Sequence, residues 1–154
     1  MAEEIERKYL VAGTGWKKGA TGTRVLQGYL SSTKECTVRV RIAGEKGFLT
    51  IKGRNTGVTR TEFEYPIPVA DAAAMLDALC ERPFIEKTRW VSAYEGFVWE
   101  VDEFHGENDG LVVAEVELPT AGTKPALPAW VREEVSSDPR YFNANLVKKP
   151  FKTW

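Results

Sequence analysis

Apolar and charged residues alternate one for one over long stretches of this chain. That is the period of a β-strand with two unlike faces. The first stretch reads EIERKYL, with Glu4, Glu6 and Lys8 on one face and Ile5, Arg7 and Tyr9 on the other. Eight strands are predicted: Glu3 to Val11, Arg24 to Leu30, Cys36 to Ala43, Gly47 to Gly53, Thr59 to Ile67, Ile85 to Ser92, Phe97 to Phe104, and Leu111 to Leu118. AGEKG (43–47), GRNTG (53–57) and AYEG (93–96) supply turn residues between strands. Short consecutive strands with tight turns predict an antiparallel sheet rather than βαβ units.

Helical spacing is clearest at VADAAAMLDAL (69–79), where Val69, Ala72, Met75, Leu76 and Leu79 form an apolar stripe between Pro68 and Pro83. Two shorter helices are predicted near the C-terminus. PAWVREEV (128–135) starts with a proline suited to a first turn, and DPRYFNANLVKK (138–149) has an Asp cap and a basic end. No repeat or linker divides the 154 residues, so 1–154 is read as a single domain.

The charged face recurs. Arg39 and Arg41 share a face, as do Thr50 and Lys52, Glu62 and Glu64, Lys87 and Arg89, Glu100 and Asp102, and Glu115 and Glu117. Only the strand at Arg24 to Leu30 departs from the rule. A water-facing sheet mixes polar types loosely, whereas here acids or bases come in pairs and the sign changes from strand to strand. The expected architecture is mainly β: an eight-stranded antiparallel closed barrel, with external helices on its apolar face and a charged tunnel inside.

Composition narrows the partners. Net charge is -1, so no global field draws the chain onto nucleic acid or an anionic membrane, and neither is expected as a partner. Two cysteines make no disulfide framework, and no run is apolar for the roughly 20 residues of a membrane span. A cytoplasmic location is expected. The sequence carries no sign of oligomeric state.

Converging carboxylates repel and protonate unless a cation sits among them, and oxygen-only ligands suit Mg²⁺ or Mn²⁺. Clustered Arg and Lys require an anion, and phosphate accepts bidentate Arg well. Two unit charges at 4 Å are worth ~4 kcal/mol at an effective dielectric near 20, so neither set is stable alone. A metal-bound polyphosphate satisfies both.

On these residues the chain resembles the CYTH domain family, the triphosphate tunnel metalloenzymes. EIERK matches the family's ExExK signature. RVR (39–41), Lys52, EFE (62–64), KTR (87–89), EVD (100–102) and EVE (115–117) follow in the family's order, and DPRYFNANL resembles its ending. The resemblance implies the barrel just described and a metal-dependent enzyme acting on a triphosphate. Short members like this one look like inorganic triphosphatases, so hydrolysis of tripolyphosphate to pyrophosphate and phosphate is expected. A nucleotide or thiamine triphosphate substrate, or a non-catalytic polyphosphate-binding module, are the alternatives.

The same resemblance implies roles. Lys8, Arg39, Arg41, Lys52, Lys87 and Arg89 would hold phosphate oxygens. Glu4, Glu6 and Glu117 would bind the metal, with Glu115 nearby. Glu62, Glu64, Glu100 and Asp102 would hold a second ion or position the water. Lys87 would protonate the leaving phosphate. With His105 the only histidine, no Ser-His-Asp or Cys-His set is available, and direct attack by water is expected.

Other conspicuous residues are expected elsewhere. His105 reads as an exposed loop residue, and Cys36 and Cys80 as packing residues. Trp90, Trp99 and Trp130 also read as packing, with Trp99 under an outer helix. Arg54 and Arg60 belong either at the tunnel mouth or to solvated hairpins, and the solvated reading is preferred. The stretch from Tyr141 to Lys148 either plugs one tunnel end or packs outside.

Overall fold

The computed structural model describes residues 3–154. Its strands are β1 (Glu3–Val11), β2 (Thr21–Ser32), β3 (Cys36–Ala43), β4 (Lys46–Gly53), β5 (Thr59–Ile67), β6 (Ile85–Tyr94), β7 (Phe97–Phe104), β8 (Val112–Glu117) and β9 (Val131–Glu134). The α-helices are α1 (Val69–Leu79) and α2 (Asn143–Lys148). All pairings are antiparallel, in the order β5-β4-β3-β2-β6-β7-β8-β1. β1 closes the circle on β5 through a short seam, Glu3 to Thr61, Glu4 to Arg60 and Ile5 to Thr59. The predicted eight-stranded barrel is therefore present, with one strand more.

That ninth strand replaces a predicted helix. The seam with β5 stops at Ile5, which leaves the far end of the same β1 edge without a partner. Unpaired backbone in a sheet must find one. β9 takes the edge, pairing with Tyr9 and Val11, and Ala12 N–H donates to the Trp130 carbonyl at 2.9 Å. PAWVREEV thus becomes a turn and a strand, because a vacant edge outweighs a weak local helix preference. The other C-terminal helix is shorter than predicted: a 3₁₀ turn at Pro139–Tyr141, capped by Asp138, precedes α2.

Two apolar clusters clad the barrel wall. Tyr9, Trp99, Val101, Ala114 and Val116 pack under Trp16, Leu118 and Val131. Trp99, wholly buried, meets Tyr9 and Trp130 at ring-centroid distances of 5.6 and 5.8 Å. It lies beneath β9 and its approach, not beneath the helix expected there. On the other side Val40, Leu26, Ile42 and Leu49 pack against Ala72, Leu76 and Cys80 of the α1 region. Val69 and Leu79 stay exposed, so the buried stripe of α1 is narrower than its sequence suggests.

The third cluster lies inside. Along β1, β6, β7 and β8 the inward face changes from charged residues to Leu10, Ile85, Phe104, Leu111 and Val113. Leu146 and Val147 of α2, with Tyr141, pack onto these residues. The helix seats its apolar face in one end of the barrel, which decides between the two placements left open by the sequence.

Gly28 sets how closely α1 approaches the wall. A Cβ there would stand 2.9 Å from Cys80 Cβ and 3.0 Å from Leu76 Cδ2. Gly28→Val should therefore destabilise the fold by about 1–3 kcal/mol, seen as a lower urea midpoint with unchanged m. A midpoint equal to that of the wild type would show that α1 yields freely.

Candidate active site

Alternation along each strand turns the paired charges inward, around a cavity of about 700 Å³. Glu4, Glu6, Lys8, Arg39, Arg41, Lys52, Glu62, Glu64, Lys87, Arg89, Glu100, Glu115 and Glu117 all line it. Asp102 does not. It is buried on the inner face beneath two cations, where Arg89 grips it with two hydrogen bonds of 2.8 and 2.9 Å and Lys87 Nζ lies at 2.8 Å. A carboxylate so engaged tethers two cations and has no free edge toward the cavity.

Most acids already face a base. Lys52 Nζ lies 2.8 Å from Glu4 Oε2 and 3.2 Å from Glu62 Oε2. Lys8 Nζ contacts Glu115 Oε1 at 2.8 Å, while Arg89 reaches Glu115 Oε2 at 3.3 Å and Glu100 Oε2 at 3.2 Å. Arg39 donates to Thr50 Oγ1 at 3.1 Å and to Glu64 Oε2 at 3.4 Å. Glu115 is therefore held at both oxygens, and Lys8 and Arg89 keep its carboxyl well below the usual range despite burial.

Arg41 is the exception. Among the described residues it has no carboxylate within ion-pair distance, and its one side-chain bond is Nε to Gln27 Oε1 at 3.0 Å. Burial, with Arg39 and Arg89 nearby, lowers its pKa to about 9, which leaves it charged at neutral pH. Like charges gathered this way favour an incoming anion.

The acidic side has the opposite need. Glu6 stands opposite Glu117 across the β1–β8 ladder. Burial, Glu115 and Glu4 push the Glu6 pKa up to about 8, against the pull of Lys8, and burial with Glu6 also raises that of Glu117. Glu4 Oε2 is buried and accepts no hydrogen bond, its contact with Lys52 being one of charge without alignment. These oxygen donors fit a hard divalent cation. Among the described residues no three acidic, His or Cys side chains gather around one point, so a cation here would draw further ligands from elsewhere, as Mg²⁺ does from phosphate.

Lys87 is fully enclosed. Burial is the largest influence on it, and with Arg89 and Arg41 it outweighs Asp102 and lowers the ammonium pKa to about 7. Its Nζ also donates to Asn143 Oδ1 at 3.0 Å.

This arrangement can be set beside known proteins. The family model for the CYTH domain matches residues 2–151. The chain belongs to the CYTH family. An inorganic triphosphatase of Acetivibrio thermocellus is 51% identical over 154 residues, covering 100% of this chain and 99% of that protein. One from Nitrosomonas europaea is 36% identical over 147 residues, covering 93% and 95%. A crystal structure of an inorganic triphosphatase superposes with a TM-score of 0.67 at 33% identity, covering 96% of this chain and 95% of its own. The superposition over nearly the whole of both chains supports the barrel fold.

Several cavity residues had no signature in the alternating pairs. Arg60, expected as a solvated charge, lines the cavity and donates to the Gly53 carbonyl at 2.7 Å, and Arg54 also lines it. Arg60 follows the same period as Glu62 and Glu64, which could have revealed it. Gln27 and Tyr29 face inward from β2, and Asn143 comes from α2. His105 lies away from the cavity, 2.8 Å from Thr88 Oγ1.

The raised Glu6 carboxyl fixes the sign of a pH effect. Its folded pKa exceeds the unfolded value of 4.5, so the contribution of Glu6 to stability is full below pH 4.5 and is lost as pH rises through about 8. Glu6→Gln should melt several degrees above the wild type at pH 9 in metal-free buffer, and level with it at pH 4.5. Equal melting temperatures at both pH values would contradict the crowding of acids described here.

Proposed function

We propose that the protein hydrolyses inorganic triphosphate to pyrophosphate and phosphate within the barrel, residues 1–154 acting as one domain. The observation that carries this reading is the Arg39–Arg41–Arg89 cluster, in which Arg41 lacks a carboxylate partner among the described residues. A linear polyanion supplies what that cluster needs. The two curated relatives, both named inorganic triphosphatase, support this choice of polyanion.

Lys8, Arg39, Arg41, Lys52, Lys87 and Arg89 bind the phosphate oxygens and meet the charge that develops as the bridging bond breaks. Glu62, Glu64 and Glu100 stand on the cavity wall and align the attacking water. Asp102 acts from beneath, as a tether for Lys87 and Arg89. Glu115 anchors Lys8 and Arg89. Lys87 gives its proton to the leaving phosphate oxygen, and the negative substrate keeps that ammonium protonated until transfer. A divalent cation, Mg²⁺ or Mn²⁺, would take carboxylate oxygens from among Glu4, Glu6 and Glu117, which do not converge on one point by themselves, and the rest from phosphate; it would neutralise and orient the triphosphate. The two free cysteines suit a cytoplasmic enzyme.

Phosphate release with Mg²⁺ or Mn²⁺ should be fast from tripolyphosphate and slow from pyrophosphate, ATP and thiamine triphosphate. Preference for an organic triphosphate would overturn the substrate. Lys87→Arg keeps the charge but holds its proton, so kcat should fall about 100-fold or more while the fold persists. Unchanged kcat would remove Lys87 from the proton transfer.

A further inference from the structure

Two neutral side chains connect the cations of the cavity, and neither belongs to the paired-charge pattern. Gln27, wholly buried on β2, accepts from Arg41 Nε at 3.0 Å and donates through Nε2 to Tyr29 Oη and to Asn143 Oδ1, both at 3.2 Å. Asn143 Oδ1 accepts at the same time from Lys87 Nζ at 3.0 Å. Both amide orientations follow from chemistry. Guanidinium and ammonium groups only donate, so the oxygen of each amide must face its cation. The Gln27 nitrogen is then left to face the Asn143 oxygen. The result is one continuous path, Arg41 to Gln27 to Asn143 to Lys87 to Asp102 to Arg89, across β3, β2, α2, β6 and β7.

We propose that Gln27 and Asn143 are positioning residues, two amides that fix the spacing between Arg41 and Lys87 to match adjacent phosphate groups. This rests on the hydrolase reading above. An amide oxygen orients a cation without neutralising it. A carboxylate in the same place would compete with the substrate, as Asp102 and Glu115 do for Arg89. α2 is suited to the task because Leu146 and Val147 seat it in the barrel end, and Lys148 Nζ ties it to the Ser32 carbonyl at 3.0 Å. The C-terminal segment is thereby part of the site and not only its cladding.

The test combines kinetics with a titration that needs no substrate. Asn143→Ala should lower kcat about tenfold with KM nearly unchanged, and Gln27→Leu should raise KM about tenfold, since small misplacements near reacting groups cost up to about 100-fold. Lys87 can be followed directly by heteronuclear NMR of lysine-labelled enzyme, with Lys87→Arg assigning the signal. The charged groups around it are Asp102, Arg89, Arg41 and Glu115. Loss of the amide oxygen in Asn143→Ala should move the Lys87 midpoint to lower pH. Asn143→Asp keeps the acceptor and adds a charge that competes with the substrate, so it should move the midpoint to higher pH and raise KM. Melting temperatures within a few degrees of the wild type exclude unfolding as the cause. If both variants keep wild-type kinetics and the Lys87 titration stays put, the proposal is overturned. If the wild type cleaves no triphosphate at all, the substrate reading falls, and the lysine titration still decides this one.

Discussion

Like charges held close together where water cannot dilute their fields are the constraint on which this structure depends. Two unit charges at 4 Å interact by ~4 kcal/mol at an effective dielectric near 20, comparable to a large share of a domain's net stability. The barrel interior answers this in two ways. Asp102, Glu115, Glu4 and Glu64 each oppose a cation directly. Arg41 has no carboxylate partner among the described residues, and Glu6, with Lys8 only at 3.8 Å, is outweighed by burial and its acidic neighbours, so both carry shifted pKa values. The uncompensated residues are the ones that a metal-bearing polyanion would satisfy. Binding strength and structural strain thus reside in the same groups.

Such an interior survives only inside a stiff wall. The outer face is built for that, with aromatic residues around Trp99 on one side and α1 closely packed over Gly28 on the other. Closure matters as much. The β1–β5 seam is short, and β9 completes the β1 edge where the seam ends. Opening that edge would part Glu4 from Lys52 and so divide the ring of charges between β1 and β5. Inside, the change from charged to apolar residues gives α2 a seat and lets Asn143 reach Lys87.

How much of this was legible in sequence depends on the kind of residue. Charges spaced two apart on successive strands can be read without a structure, because strand geometry alone puts them on one face. That reading recovered the barrel, the cavity wall and its ordered signs. It placed Asp102 inward but could not show that Arg89 and Lys87 consume both of its oxygens, since that depends on how deep it sits. PAWVREEV reads as a helix because its partner edge on β1 lies more than a hundred residues away. Gln27 and Asn143 were invisible for a related reason. Neutral amides have no charge pattern, and their meaning arises only when distant elements bring cations to both of them.

The central claim is that the arginine cluster inside the barrel is a polyanion site. The most direct measurement is a crystal structure of the Lys87→Arg variant soaked with tripolyphosphate. The account predicts phosphate density within the cavity, in hydrogen-bond contact with Arg39, Arg41 and Arg89. Density confined to the outer surface, with the Arg41 guanidinium still bound only to Gln27, would contradict it.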